Sequence, residues 1–250
     1  MNEPIRIVGS YLSPYVRKVL VALHLKGLDY EIDSLVPFYG DERFSEISPI
    51  RRIPVLVDDC VTLCDSTVIC EYLEERHPGP PLLPAALEDR ARARWLEEFA
   101  DTRMGEVFIW RLFNQLAIGP SVWRRKPDDR IVERSRNEEI PEILDYLEGQ
   151  LPAEGTLFAS VSIADVAIAS FFRNAEFVGY RPDPERWPRV ARFVDAMFAH
   201  DAFARLRPIE ERLLRVHPAK QWEALRDTDA PGTAESYGTR DPRPGVMKTD

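Results

Sequence analysis

Ile5-Arg6-Ile7-Val8 leads through Gly9 into Ser10-Tyr11-Leu12-Ser13-Pro14-Tyr15-Val16-Arg17, and the reading of this junction decides the fold. The first four residues suit a short strand. Ser13 suits a helix N-cap, and Pro14 suits the first helical position, where its missing N–H costs nothing. Val16, Val19, Leu20 and Leu23 then recur at helical spacing, and Gly27 marks the end. Tyr30-Glu31-Ile32-Asp33-Ser34-Leu35 alternates and predicts a second strand. Strand, helix and strand in that order imply a right-handed parallel crossover.

Further on, Ser48-Pro49-Ile50-Arg51-Arg52-Ile53-Pro54-Val55-Leu56 enters a pair of short strands, Pro54 to Val57 and Val61 to Leu63, joined around Asp58-Asp59 as an antiparallel hairpin. A helix beginning near Asp65 turns Val68, Ile69, Tyr72 and Leu73 inward. Residues 1–77 therefore read as a βαβ-ββα module. His77-Pro78-Gly79-Pro80-Pro81-Leu82-Leu83-Pro84 cannot be helical, and 78–84 is a stiff linker. From 85 to 216 the periodicity is helical throughout. Trp95, Leu96, Phe99, Phe108, Leu112 and Phe113 line one long helix, and Ile140, Ile143, Leu144, Leu147 and Leu151 line another. Ser162-Ile163-Ala164-Asp165 has the spacing of a capping box before a buried helix, which makes Ser162 and Asp165 structural. Residues 217–250 have few large apolar side chains and read as a flexible tail or an arm lying on the body.

The fold class is thus α/β followed by all-α. Apolar residues make up 44% of the 250, enough for real cores. A formal net charge of −9 argues against nucleic acid and anionic membranes as partners. No signal peptide or membrane span is visible, and the three cysteines, Cys60, Cys64 and Cys70, suit a reducing, cytoplasmic setting. Their spacing matches no zinc site, so no metal is expected.

Over about residues 5 to 215 the chain resembles the cytosolic glutathione transferase superfamily. The carrying segments are Ser13-Pro14-Tyr15-Val16-Arg17, Ser48 to Leu56, Asp65-Ser66 and Ser162 to Asp165. Serine-type members of the theta, zeta and phi kind are the best fit. The resemblance implies a thioredoxin-like domain followed by an all-helical one. It also implies homodimers, and conjugation of glutathione to a small hydrophobic electrophile lodged between the domains, with glutathione as co-substrate and no cofactor.

It further implies roles for particular residues. Ser13 stands four residues before Arg17, as the family's catalytic serine stands before its arginine. The chemistry is apt, because a hydroxyl at a helix N-terminus can donate to a thiol sulfur and favour the thiolate. Ser10 and Tyr11 are lesser candidates for that donor. Pro54 matches the family's cis-proline, with Ile53 offering its backbone to the cysteinyl part of glutathione. Asp65 and Ser66 match the acidic-serine pair that holds the γ-glutamyl end, although the family usually has Glu or Gln at the first of these. The expected acceptor pocket draws on Tyr11, Leu12, Phe38, Tyr39, Trp110 and Phe113.

One departure affects the turn before the proline. The family's usual glycine is replaced by Arg51, which argues that no positive φ is needed there. Arg52 then takes the glycyl carboxylate, and Arg51 is a solvated charge. Two other readings stay open: a non-catalytic binding module, and a glutathione-dependent isomerase, dehalogenase or peroxidase on the same scaffold.

Overall fold

The computed structural model describes residues 5–226 and 228–243. They divide into two compact units. One takes the chain as far as Pro80 and again from Arg205 onward, and the other is Pro81–Ala204. The helical domain expected over 85–216 therefore ends at Ala204, and the described residues from Arg205 to Arg243 pack with the first unit.

The first unit carries four strands, β1 (Ile5–Val8), β2 (Tyr30–Asp33), β3 (Val55–Val57) and β4 (Thr62–Cys64), in the order β2-β1-β3-β4. β1 and β2 are parallel, and the other two pairings are antiparallel. The βαβ-ββα order read from the sequence, and its thioredoxin-like character, are those of this unit. Helix α1 (Pro14–Lys26) begins at Ser13, whose side chain accepts from Val16 N–H, and ends at Gly27 in the left-handed region at φ 65°.

α1 is buried on nearly every side, so its long polar residues need partners. Arg17 Nε lies 2.5 Å from Glu210 Oε1, and its guanidinium also donates to Tyr11 O. Lys18 Nζ donates to Thr67 Oγ1 at 3.0 Å. Lys26 Nζ reaches His77 O at 2.6 Å, Pro80 O at 3.0 Å and the Glu74 carboxylate at 2.7 Å. Removing one partner of such a pair leaves an uncompensated buried charge, which costs far more than losing a surface pair.

Helix α2 (Glu42–Ile47) starts at the Asp41 cap and buries Phe44. Helix α3 (Ser66–Arg76) turns Ile69, Cys70 and Leu73 inward. Val68 was expected to join them but is 46% exposed. Positions 66, 69, 70 and 73 form one helical stripe, and 68 lies about 150° around the axis from its centre.

Residues 217–226 and 228–243 form an arm on this unit. Ile32 N–H donates to Pro231 O at 2.6 Å, and Thr233 N–H donates to Ile32 O at 3.1 Å, so the arm covers the open edge of β2. The buried Asp33 carboxylate accepts from Ser236 Oγ at 2.7 Å and Tyr237 N at 2.8 Å. Burial pushes its pKa up against those two bonds. Further along, Asp41 N donates to Tyr237 O and Thr239 N to Tyr39 O. The remainder of the expected tail lies outside the described residues.

In the second unit the helix Leu87–Phe99 runs on through Ala100–Ile118 to Gly119–Trp123. Its middle section is wound wider than an α-helix, and Gly119 N–H bonds back to Asn114 O, five residues earlier. Leu96, Met104, Phe108 and Leu112 face the core. Trp95, expected beside Leu96, is 54% exposed, with its indole N–H donating to Tyr146 Oη. Phe108 meets Phe172 edge-on at 5.4 Å.

Phe172 belongs to the helix Ile163–Phe177, which opens with the capping box. Asp165 Oδ2 accepts from Ser162 N at 2.8 Å and Ser162 Oγ at 2.6 Å, and Asp165 Oδ1 accepts from Leu157 N at 2.8 Å. Asp165 is fully buried, and that burial raises its pKa in spite of these donors. Among the described residues, no helix is long and apolar enough to cross a membrane.

Candidate functional site

Register brings the sequence-predicted residues of the first unit to one end of the sheet. Val8 faces Val55, and Val55 faces Cys64. The chain leaving β1, entering β3 and leaving β4 therefore passes the same sheet end at Gly9, Pro54 and Asp65. Adjacent strands are spaced ~4.8 Å apart, so these three positions span about 10 Å.

Gly9 supplies a close approach. It sits at φ 154°, and a β-carbon there would stand 2.5 Å from Val16 Cγ2 and 3.2 Å from Ile53 Cβ. The start of α1 and the Ile53–Pro54 turn are thus in contact across residue 9. The Ile53–Pro54 peptide is cis.

Three hydroxyls were candidates for the thiol donor, and their surroundings differ. Ser10 is buried, and its proton is committed to Gln221 Oε1 at 2.6 Å. Tyr11 is fully buried, and burial next to the Tyr30 phenol raises its pKa far above the ordinary tyrosine value. Ser13 is half-exposed and caps α1 over a long 3.4 Å contact from Val16 N. Capping uses a lone pair of the hydroxyl, so its proton stays available to a ligand.

At the other side of the site Asp65 adopts φ 86° and ψ 129°, rare for a residue with a side chain. Its Oδ1 accepts from Thr67 N at 2.9 Å and Val68 N at 3.3 Å, which caps α3. Ser66 is the first helical residue after it and is buried. Strain of this kind costs of order 1–3 kcal/mol and clusters at functional sites.

The turn before Ile53 departs from expectation. Arg51 has φ 49°, so the position does need the left-handed region although it is not glycine. Nor is Arg51 a solvated charge. It is half-buried, and its guanidinium donates to Ser45 Oγ at 2.5 Å, Gly40 O at 2.7 Å and Asp41 O at 3.3 Å while lying over the Phe44 ring. These contacts offset a left-handed residue's cost of roughly 1–2 kcal/mol. Arg52 is exposed, with its backbone held by Ser48 Oγ on both N–H and C=O.

The residues expected to line an acceptor pocket belong to both units. Leu12 is half-exposed next to Ser13. Tyr11, Phe38 and Tyr39 are buried instead of lining an open surface: Phe38 and Tyr39 sit under the arm, with Tyr39 edge-on to His217. In the second unit Trp110 is half-buried and Phe113 is buried on the long helix. On the β3–β4 hairpin Asp58, Asp59 and Cys60 lie close together, but Tyr72, Arg76 and two backbone N–H groups already engage the two carboxylates.

Reading the residues alone missed Gly9, Asp33 and Gln221. A glycine directly after a strand was the one available signal, whereas Asp33 and Gln221 act through partners some two hundred residues away.

Comparison with known proteins gives two family matches. Residues 7–81 match the glutathione S-transferase N-terminal domain, and residues 129–196 match the glutathione S-transferase C-terminal domain. The chain is 31% identical over 211 residues to the uncharacterized GST-like protein YibF of Escherichia coli K12, covering 81% of this chain and 98% of that one. It is 30% identical over 213 residues to maleylacetoacetate isomerase of Pseudomonas aeruginosa, covering 82% and 97%. A crystal structure of a glutathione S-transferase from Rhodospirillum rubrum superposes with a TM-score of 0.74 at 27% identity, covering 81% of this chain and 91% of that one.

Proposed function

We propose that this chain, which belongs to the glutathione S-transferase family, binds reduced glutathione at the sheet end of its first unit and delivers the thiolate to a small apolar electrophile. The observation that carries this is Ser13, a half-exposed hydroxyl with an uncommitted proton at the positive end of a 13-residue helix.

Ile53, ahead of the cis-proline, offers N–H and C=O to the cysteinyl backbone. Asp65 and Ser66 hold the γ-glutamyl end, with the second carboxylate oxygen of Asp65 taking the ammonium. Arg52 takes the glycyl carboxylate. Ser13 then donates to sulfur. Lowering a thiol pKa by ~2 units requires about 2.7 kcal/mol. A hydrogen bond to a charged group supplies about 1.5–3 kcal/mol, and a helix N-terminus about 0.3–1 kcal/mol. The thiol proton leaves to solvent, sulfur bonds to the electrophilic carbon, and the leaving group departs with its electron pair. The balance is complete without a metal or redox group. Leu12, half-exposed next to Ser13, meets the electrophile. As in the family generally, the working form is a cytoplasmic homodimer.

Similarity to maleylacetoacetate isomerase over 82% of this chain supports a second reading. In it the same thiolate adds to an activated double bond and is expelled after rotation, so glutathione is regenerated. Calorimetry with glutathione, then turnover on a panel of aryl halides, epoxides and conjugated enones, tests both. Binding with stoichiometric loss of thiol supports conjugation, and turnover with thiol conserved supports isomerisation. Binding without turnover leaves a binding module, and absence of binding refutes the site.

A further inference from the structure

The arm from His217 onward lies outside both family-matched segments, yet it touches the two loops on which the proposed glutathione site depends. At the thiol side, Gln221 is buried and accepts from Ser10 Oγ at 2.6 Å. Ser10 in turn accepts from Leu12 N through Oγ at 3.1 Å and from Ser13 N through its carbonyl at 3.0 Å. Gln221 therefore braces the loop that ends in Ser13.

At the peptide side, Tyr237 O accepts from Asp41 N, Gly238 bridges Gly40, and Ser236 O accepts from Arg43 Nη2 at 2.8 Å. The carbonyls of Gly40 and Asp41 are the ones that hold Arg51, two residues before Ile53. The Asp33 carboxylate anchors this stretch, and the Trp222 indole N–H ties the arm to itself at Thr233 O.

We propose that the described arm, residues 217–226 and 228–243, is a positioning strap for the glutathione site, with Gln221 orienting the thiol donor and Ser236–Thr239 orienting the Arg51–Ile53 turn. This rests on the transferase reading above. It assigns two separable effects, because one end of the strap acts near sulfur and the other near the peptide backbone.

Gln221→Met keeps the shape and removes the acceptor, while Gln221→Glu keeps an acceptor. The expectation is a kcat lowered about five- to tenfold in the Met variant, the equivalent of one hydrogen bond, with glutathione affinity within twofold and substantial recovery in the Glu variant. Asp33→Ala combined with Ser236→Ala should do the reverse, raising the glutathione Kd at least fivefold with little change in kcat. Amide exchange of ligand-free protein should rise at residues 10–13 in the first variant and at 38–53 in the second. Folded variants with wild-type constants and wild-type exchange would overturn the proposal. Failure of the wild-type chain itself to bind glutathione would instead strike the transferase reading, and the exchange data would still report whether the strap holds these loops.

Discussion

Gly9 lies so close to Ile53 that a β-carbon on residue 9 would stand 3.2 Å from Ile53 Cβ. The same atom would fall 2.5 Å from Val16 Cγ2, a separation that real side chains do not tolerate. Gly9→Ala therefore has to push apart the start of α1 and the turn before Pro54, and φ 154° adds backbone strain. Overpacking of this kind costs about 1–3 kcal/mol. The expected outcome is a lower melting temperature together with glutathione affinity reduced by roughly tenfold or more, read by scanning calorimetry and titration on the same sample.

Ser13→Ala should cut turnover by roughly ten- to a thousandfold while leaving glutathione affinity within a few-fold, because on the proposed mechanism the lost bond goes to a charged sulfur. Some cap energy is lost as well, at the low end of the usual range given the 3.4 Å contact. Tyr11→Phe should leave turnover unchanged, since that phenol is buried in the core. Kinetics from pH 6 to 8 decide the matter, and equal rates for wild type and Ser13→Ala would remove Ser13 from the mechanism.

Asp65 caps α3, and substitutions separate that role from the ammonium contact proposed for it. Asp65→Asn keeps an oxygen to cap Thr67 N and Val68 N, so the melting temperature should hold. Its lost charge should still weaken glutathione binding several-fold, with maximal rate little affected. Asp65→Gly relieves φ 86° but loses both the cap and the charge. Unchanged affinity in Asp65→Asn would reduce this residue to a helix cap.

Asp165 should govern stability alone. Asp165→Ala strands three donors in a buried position, which costs more than the ~0.5–2 kcal/mol of an ordinary cap. On the proposed function, folded mutant protein should keep normal kinetic constants. The pH dependence has a definite sign. Burial raises the folded-state pKa above 3.8, so the carboxyl's stabilising contribution is complete below that value and is lost as pH rises through the folded pKa. The melting-temperature gap between wild type and Asp165→Asn should accordingly be wider in acid than at neutrality.

Asp58 has the opposite sign. Burial works to raise its pKa, but the Tyr72 hydroxyl, two backbone N–H groups and Arg76 outweigh it and hold the carboxyl below 3.8. Its contribution is present above 3.8 and lost as pH falls through the lowered value. Tyr72→Phe should move the acid-unfolding midpoint upward, measured by circular dichroism below pH 5.

The features legible in the chain beforehand were local. Ser13, Pro14 and Gly27 announce the ends of α1 because capping involves neighbours only a few residues away, and the spacing of Ser162 and Asp165 announces a cap for the same reason. The φ of Arg51 was not legible. Its left-handed backbone is sustained by carbonyls at 40 and 41 and a hydroxyl at 45, and nothing in Arg-Arg-Ile-Pro encodes those partners. Val68 and Trp95 show the limit of periodicity, since one step around a helix separates core from solvent. The arm was hardest to read. Its composition cannot form a core, and its order comes from pairing with an open strand edge and a buried carboxylate far back in the chain.

The buried pair of Arg17 and Glu210 also has a consequence in time. Synthesis delivers Arg17 early, but its partner emerges only after all of Pro81–Ala204 has been made. At 5–20 residues per second the 193 residues from Arg17 to Glu210 take roughly 10–40 s. For all of that time a cation destined for the interior has no counter-charge, and the edge of β2 lacks its cover. The helical unit, continuous in sequence, can gather its core meanwhile, so the ribosome imposes an order in which the second unit matures first and the first unit is sealed last. Pulse-labelled exchange during synthesis should accordingly find the amides of Ile163–Phe177 protected before those of Tyr30–Asp33.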